Sequence, residues 1–164
     1  MLHPASAHFA IVLPIIAFII GMAYLIKPSE LMSKISTRFM LFGAIFITVA
    51  FFTGKADGSE VYSLLSGDGK HLLIEHKNFA LYLVIGMWIA TVVKMFGCLK
   101  KIVKAEIFAI LLVAILAGGV VYQGKMGGEL TYTHGAHVDK YSDGMDCLAD
   151  PEEFLEEDED DEEE

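Results

Sequence analysis

The apolar positions of this chain neither alternate nor recur as a narrow stripe. They gather into four runs without a charged residue, at 9–26, 39–53, 79–93 and 107–123. With its flanks, each run approaches the roughly 20 residues that a membrane-spanning helix requires. The pattern therefore predicts an all-α membrane protein, a four-helix transmembrane bundle with spans at about 5–26, 36–53, 77–99 and 103–123. The second run is the shortest and needs Ser36, Thr37 and a snorkelling Arg38 to cross. Pro4 suits a first helical turn, whereas Pro14 lies deeper and is expected to loosen the first helix near His8.

The polar stretches between the runs predict their own elements. After the second run, 54–58 reads as a turn. A short outer-loop helix over 60–65 follows, with Ser59 as N-cap, Gly67 as terminator and an apolar side of Val61, Leu64 and Leu65. After the fourth run, Gly127 and Gly128 followed by Leu130, Tyr132 and His134 suggest a turn and an extended segment returning across the bundle mouth as a lid. The pieces at 1–138 form one transmembrane domain, and 139–164 is an acidic tail.

Charge sharpens the topology. The net charge is -10, yet 11 of the 22 acidic residues sit in the last 13 positions, leaving 12 basic against 11 acidic groups elsewhere. Such a tail reads as a solvated, disordered segment. Its alternative role is a cation sink or a docking strip for a basic partner such as a c-type cytochrome. Lys27, Lys34 and Arg38 between the first two runs, and Lys94, Lys100, Lys101 and Lys104 between the last two, mark those turns as cytoplasmic by the positive-inside rule. Both termini and the 54–75 loop then face outward, at the periplasmic side of a bacterial inner membrane. The first run lacks a basic residue before it and is too long for an ordinary signal-peptide core, so it reads as retained.

Small residues punctuate the runs, namely Gly21, Gly43, Gly86, Gly97, Gly118 and Gly119, and predict close helix packing or room for a flat ring. Cys98 and Cys147 are separated by an odd number of crossings, so they cannot pair within one chain. Covalent catalysis has no support, because Ser6 and Ser59 lack a nucleophile-elbow context. Gly67-Asp68-Gly69-Lys70 lacks the glycine spacing of a phosphate loop. Nucleic-acid binding has no support either, because the outer surface is acidic and the basic residues are the topogenic ones.

Histidine is the candidate chemistry. His3, His8, His71, His76, His134 and His137 come from three separate stretches, and the topology brings all six to one membrane face. Rings five residues apart on a helix differ by roughly 140°, so only one of each pair faces inward. The deeper members, His8 and His76, are the expected inward pair. Two imidazoles in an apolar slot suit a b-type haem. A single copper, zinc or iron ion is the alternative, held by His8, His76 and His134 with Asp57 or Glu75, while His3 and His137 are further candidate ligands. A proton relay through the histidines, or an accessory subunit without cofactor, also fits the pattern.

These residues resemble a family of uncharacterised bacterial four-span membrane proteins classed as a domain of unknown function. Its pattern opens with His-Pro-x-x-x-His-Phe, here His3, Pro4, His8 and Phe9. It closes with Gly-Gly-x-Leu-x-Tyr-x-His-Gly, here Gly127, Gly128, Leu130, Tyr132, His134 and Gly135. Gly54 and Asp57 resemble its Gly-x-x-Asp, and His76 with Asn78 its third-span start. The likeness covers residues 1 to about 138. It implies an integral inner-membrane protein with His8, Asp57, His76 and His134 as the family-type polar residues, and supplies no established activity. Similar proteins are grouped with small cytochrome b-like membrane proteins, which by analogy implies a redox carrier, or an accessory part of a larger respiratory complex or homo-oligomer, more than a stand-alone enzyme. Gly58 and His137 depart from the family pattern, the latter as a possible added ligand.

Overall fold

A computed structural model of the chain describes residues 3–136. Four helices account for nearly all of them: α1 (His3–Ile26), α2 (Glu30–Val61), α3 (Gly67–Lys100) and α4 (Val103–Tyr132), with no strand among the described residues. Each is long and apolar enough to cross a membrane. The chain is an all-α four-helix membrane bundle. Short turns make successive helices antiparallel. Each packs on its sequence neighbours and α4 closes back on α1, so α1 and α3 stand diagonally opposed, as do α2 and α4.

The bundle is built with its small residues inside. Ala17, Ala44, Ala90 and Ala109 are fully buried around Met40, Met87 and Val113, while Phe42, Ile89, Phe108 and Ile115 point outward. Lipid is as apolar as leucine, so large side chains gain nothing by turning inward; close backbone approach through small residues is what holds such helices together. The glycines follow suit. A Cβ at Gly21 would meet Ile110 at 3.0 Å, one at Gly86 would meet Leu116 at 2.8 Å and one at Gly119 would meet Leu83 at 2.7 Å; Gly118 has open space instead. Pro14 is buried inside α1, with its ring against Gly43 of α2.

At about 1.5 Å per residue, the 32 residues of α2 and 34 of α3 exceed a hydrocarbon layer of about 30 Å. The surplus corrects two expectations at the end that carries His3. No separate helix forms over 60–65. Instead α2 runs unbroken to Val61, and Ser59 turns its hydroxyl back to the carbonyl of Ala56 at 2.7 Å. The cap is Ser66, which accepts the amide of Gly69 at 3.2 Å, so Gly67 begins α3 and terminates nothing. Likewise α4 passes through Gly124, Gly127 and Gly128 to Tyr132 with no extended lid. It closes in a turn at Gly135 (φ 66°), where the amide of Ala136 reaches the carbonyl of Leu130 at 3.0 Å. Interior glycines cost about 1 kcal/mol each against alanine. Here they are tolerated because neighbouring helices pack on them, as Leu73 does on Gly58. Val61, Leu65, Leu130 and Ala136 form a small apolar cap over this end, while Leu64, expected beside them, is exposed.

Candidate functional site

Polar groups enter the bundle interior at two places. The first is at the end of the α1–α2 and α3–α4 turns. Lys94 of α3 is fully buried and forms an ion pair with the equally buried Glu106 of α4. Ser33 of α2 donates to the same carboxylate oxygen, Tyr24 of α1 donates its hydroxyl to the other at 3.2 Å, and the ammonium sits 4.8 Å from the Tyr24 ring centre. All four helices thus meet at one carboxylate. Gly97 makes this possible, since a Cβ there would lie 2.8 Å from the Glu106 Cγ and 3.0 Å from its backbone nitrogen. Sequence reasoning counted Lys94 among the topogenic turn charges and missed the pair. The available signal was an acid and a base flanking one turn, each set among apolar neighbours. Lys27, Lys34, Arg38, Lys100, Lys101 and Lys104 remain exposed at that end.

The second place is the opposite end, where a cavity of about 1050 Å³ reaches between the helices. Its walls are mostly apolar. His3, His8, Asp57, His76 and Gln123 line it, and Gly54, Gly124, Gly127 and Gly128 keep its walls thin. Its rim includes the exposed Lys55 and Tyr132.

On α1 both His3 and His8 line the cavity, but they differ in burial. His8 is exposed, and the half-buried ring is His3. The reason is space: the His3 ring lies where a Cβ on Gly54 would come within 2.7 Å, so only glycine admits it. Its Nδ1 donates to the carbonyl of Ala50 at 2.9 Å, while His8 Nδ1 donates to that of Pro4 at 2.6 Å. A carbonyl can only accept, so in both rings Nδ1 carries a proton, and Nε2 is the nitrogen whose lone pair a neutral imidazole offers.

On α3, His76 lies in the cavity wall beside Gly127, and His71 is exposed next to Glu75, 3.8 Å away. His134 is packed against Gly69 and does not line the cavity, and Glu75 is exposed. His137, Cys147 and the acidic tail lie outside the described residues. Among the described residues no group of three or more His, Cys, Asp or Glu side chains is placed to hold a metal ion.

Three buried side-chain atoms here have no hydrogen-bond partner: Asp57 Oδ2, His76 Nδ1 and Gln123 Oε1. They belong to α2, α3 and α4, and all three residues line the one cavity. Sequence reasoning found Asp57 and His76 but not Gln123, whose amide donates to the His76 carbonyl at 2.9 Å. A lone glutamine at the end of an uncharged run was the only signal for it. Buried polar atoms are satisfied in the great majority of cases, and a stranded one costs about 1–3 kcal/mol. All three lie around one cavity.

Comparison with known families gives one result. Residues 1–140 match the model of a family described as "Predicted membrane protein (DUF2231)". No curated protein and no solved structure matches the chain.

Proposed function

The chain belongs to the DUF2231 family of predicted membrane proteins, and from that premise we propose that its histidine-lined cavity binds a b-type haem for electron transfer. The observation that carries this reading is the set of imidazoles around one apolar cavity. His3 and His8 each have Nδ1 engaged by a backbone carbonyl and Nε2 free. That is how metal-bound histidines are oriented, with the outer nitrogen fixed so that the inner one can donate its lone pair. His76 approaches from α3, diagonally across the bundle from α1, with its Nδ1 unpartnered.

The donor set fits a haem better than a bare ion. Iron in a porphyrin already has four nitrogens and asks the protein for one or two, whereas a lone copper, zinc or iron ion asks for three or four. Apolar walls suit the macrocycle, and when bound it would supply a one-electron redox centre. His76 with His8 or His3 would hold the iron, and glycines along α2 and α4 leave space for a flat ring. In this reading the end with the six exposed cations faces the cytoplasm of a bacterial inner membrane, as the positive-inside rule favours, and the cavity faces the periplasm. A soluble c-type cytochrome docking on the acidic residues is the natural electron acceptor in this reading.

An absorption spectrum of the detergent-purified protein tests it. The expected result is a Soret band that is lost in His76→Ala and shifted or weakened in His8→Ala and His3→Ala. A sample made in haem-replete cells with no Soret band overturns it.

A further inference from the structure

Arg38 is an exposed cation on a membrane-spanning helix with no acid to meet it. It comes eight residues after Glu30, the first residue of α2, and so about 12 Å along the axis, where the exposed neighbours Leu41 and Phe42 are apolar. Among the described residues the acids at that end are Glu30 and Glu106, and each is already paired, Glu30 with Lys34 at 2.7 Å and Glu106 with Lys94. Helical geometry puts Glu30, Lys34, Arg38, Leu41, Ile45 and Thr48 on one arc of about 80°. Read inward from the helix start, that face is an acid, two bases and then an apolar strip. Lys34 and Arg38, one turn apart, repel each other, and Glu30 answers only the first of them. The row lacks one negative charge. Its neighbour along the bundle surface is α3, whose Trp88 donates its indole N–H to Thr48 at 3.0 Å and so rests against the same face of α2. Val92, one turn further along α3 toward its basic end, is exposed on that side.

We propose that this seam between α2 and α3 binds an anionic phospholipid, its phosphodiester held by Arg38 and Lys34 and an acyl chain lying along Leu41, Ile45 and Trp88. The guanidinium fork matches two phosphate oxygens at once, and the ammonium one turn away supplies the second cation. A soluble anion would have to leave water to reach Arg38 and would make no use of the apolar strip beside it. A zwitterionic lipid brings an ammonium of its own toward two cations and cancels the charge that the row lacks. The lysines in and beside the two turns attract an anionic leaflet only as a diffuse field. This face adds a bidentate donor and an apolar floor, which together select one lipid and one place. The site lies at the opposite end of the bundle from the histidine-lined cavity and stands whatever fills that cavity.

Trp88 is the only tryptophan of the chain, so its fluorescence reports on this seam alone. The test reconstitutes the full-length protein in phosphatidylcholine bilayers and follows quenching of Trp88 by a small fraction of lipid with brominated acyl chains, either phosphatidylglycerol or phosphatidylcholine. The expected result is that the brominated phosphatidylglycerol quenches as though enriched at the seam about fivefold or more, the ratio that a single nearby cation implies. Arg38→Gln and Lys34→Gln should each bring the enrichment down toward the bulk ratio, whereas Lys104→Gln, at the start of α4, should leave it in place. Equal quenching by the two lipids overturns the proposal. So does an enrichment that survives both substitutions, or one that Lys104→Gln lowers as far as they do, since the basic end would then act only as a field. Where a variant fails to fold, the wild-type protein in about 1 M salt, which cuts the screening length to about 3 Å, decides in its place. Loss of enrichment there supports the site, and persistence overturns it.

Discussion

Glu106 and Asp57 are carboxylates set in long apolar helices, one toward each end of the bundle, and their surroundings could hardly differ more. Glu106 receives Lys94, Ser33 and Tyr24, one group from each of the other three helices. Asp57 has an oxygen that receives nothing, and the nearby His76 and Gln123 each have a stranded atom of their own. Placing charge in an apolar bundle is unfavourable unless it is paired and hydrogen-bonded. The first centre meets that condition internally and so works as a fastening. The second does not meet it, and keeps a cavity beside its unmet groups. A satisfied polar centre fixes which helices meet and in what register; an unsatisfied one is a demand on something from outside.

The largest effect should come from breaking the fastening. Glu106→Leu strands a fully buried ammonium, and removal of one member of a buried pair destabilises by about 3–5 kcal/mol. The double variant Lys94→Met with Glu106→Leu removes both charges and should recover most of that loss, because apolar replacements of a whole buried pair are often neutral or stabilising. Thermal melting followed by circular dichroism in a mild detergent reads both. If single and double variants melt alike, the pair is not what joins the helices, and the contrast between the two centres disappears.

A smaller loss, about 1–3 kcal/mol from overpacking, is expected for Gly97→Ala. The added methyl meets the Glu106 backbone as well as its side chain, and backbone cannot swing aside. Gly118→Ala is the control, since nothing lies within 4 Å of its Cβ position. Equal melting of the two would show that close approach at Gly97 is dispensable. At the other centre the sign reverses. Asp57→Leu removes a stranded oxygen, so the ligand-free protein should be unchanged or about 1 kcal/mol more stable. A loss as large as that of Glu106→Leu would make Asp57 a structural group and bring the two centres under one description.

The contrast was only half legible in the sequence. The four crossings could be read because lipid selects residues by apolarity, a property that each residue carries by itself. The ends of the helices could not. Gly127 and Gly128 read as a turn, yet α4 continues through them to Tyr132, with the His76 ring of α3 in van der Waals reach of Gly127. On α1, helical geometry established that His3 and His8 diverge, but the choice between them depended on Gly54, 51 residues after His3, leaving room for one ring. Lys94 was visible as a charge and misassigned to a turn, because a lysine near the end of a span looks the same whether it snorkels to water or turns inward. What stayed hidden in each case was a relation between helices. His76 and Asp57 were found because a histidine or an acid at the edge of a span is suspect by type. Gln123 was overlooked because an amide is not.

The smallest expected effect tests whether satisfaction, rather than charge, separates the two centres. Trp88 of α3 donates its indole N–H to Thr48 of α2 at 3.0 Å, a neutral bond at the outside of the bundle, with the ring itself 39% exposed. It is satisfied, as Glu106 is, but nothing charged depends on it, and either partner could find another in the membrane-embedded unfolded state. Interhelical hydrogen bonds of this kind average about 0.6 kcal/mol in membranes. Trp88→Phe should therefore lower stability by about that amount and leave the haem spectrum untouched. A loss of several kcal/mol would mean that any interhelical hydrogen bond fastens this bundle. The four-helix meeting at Glu106 would then be one contact among equals, and charge burial would not be what sets it apart.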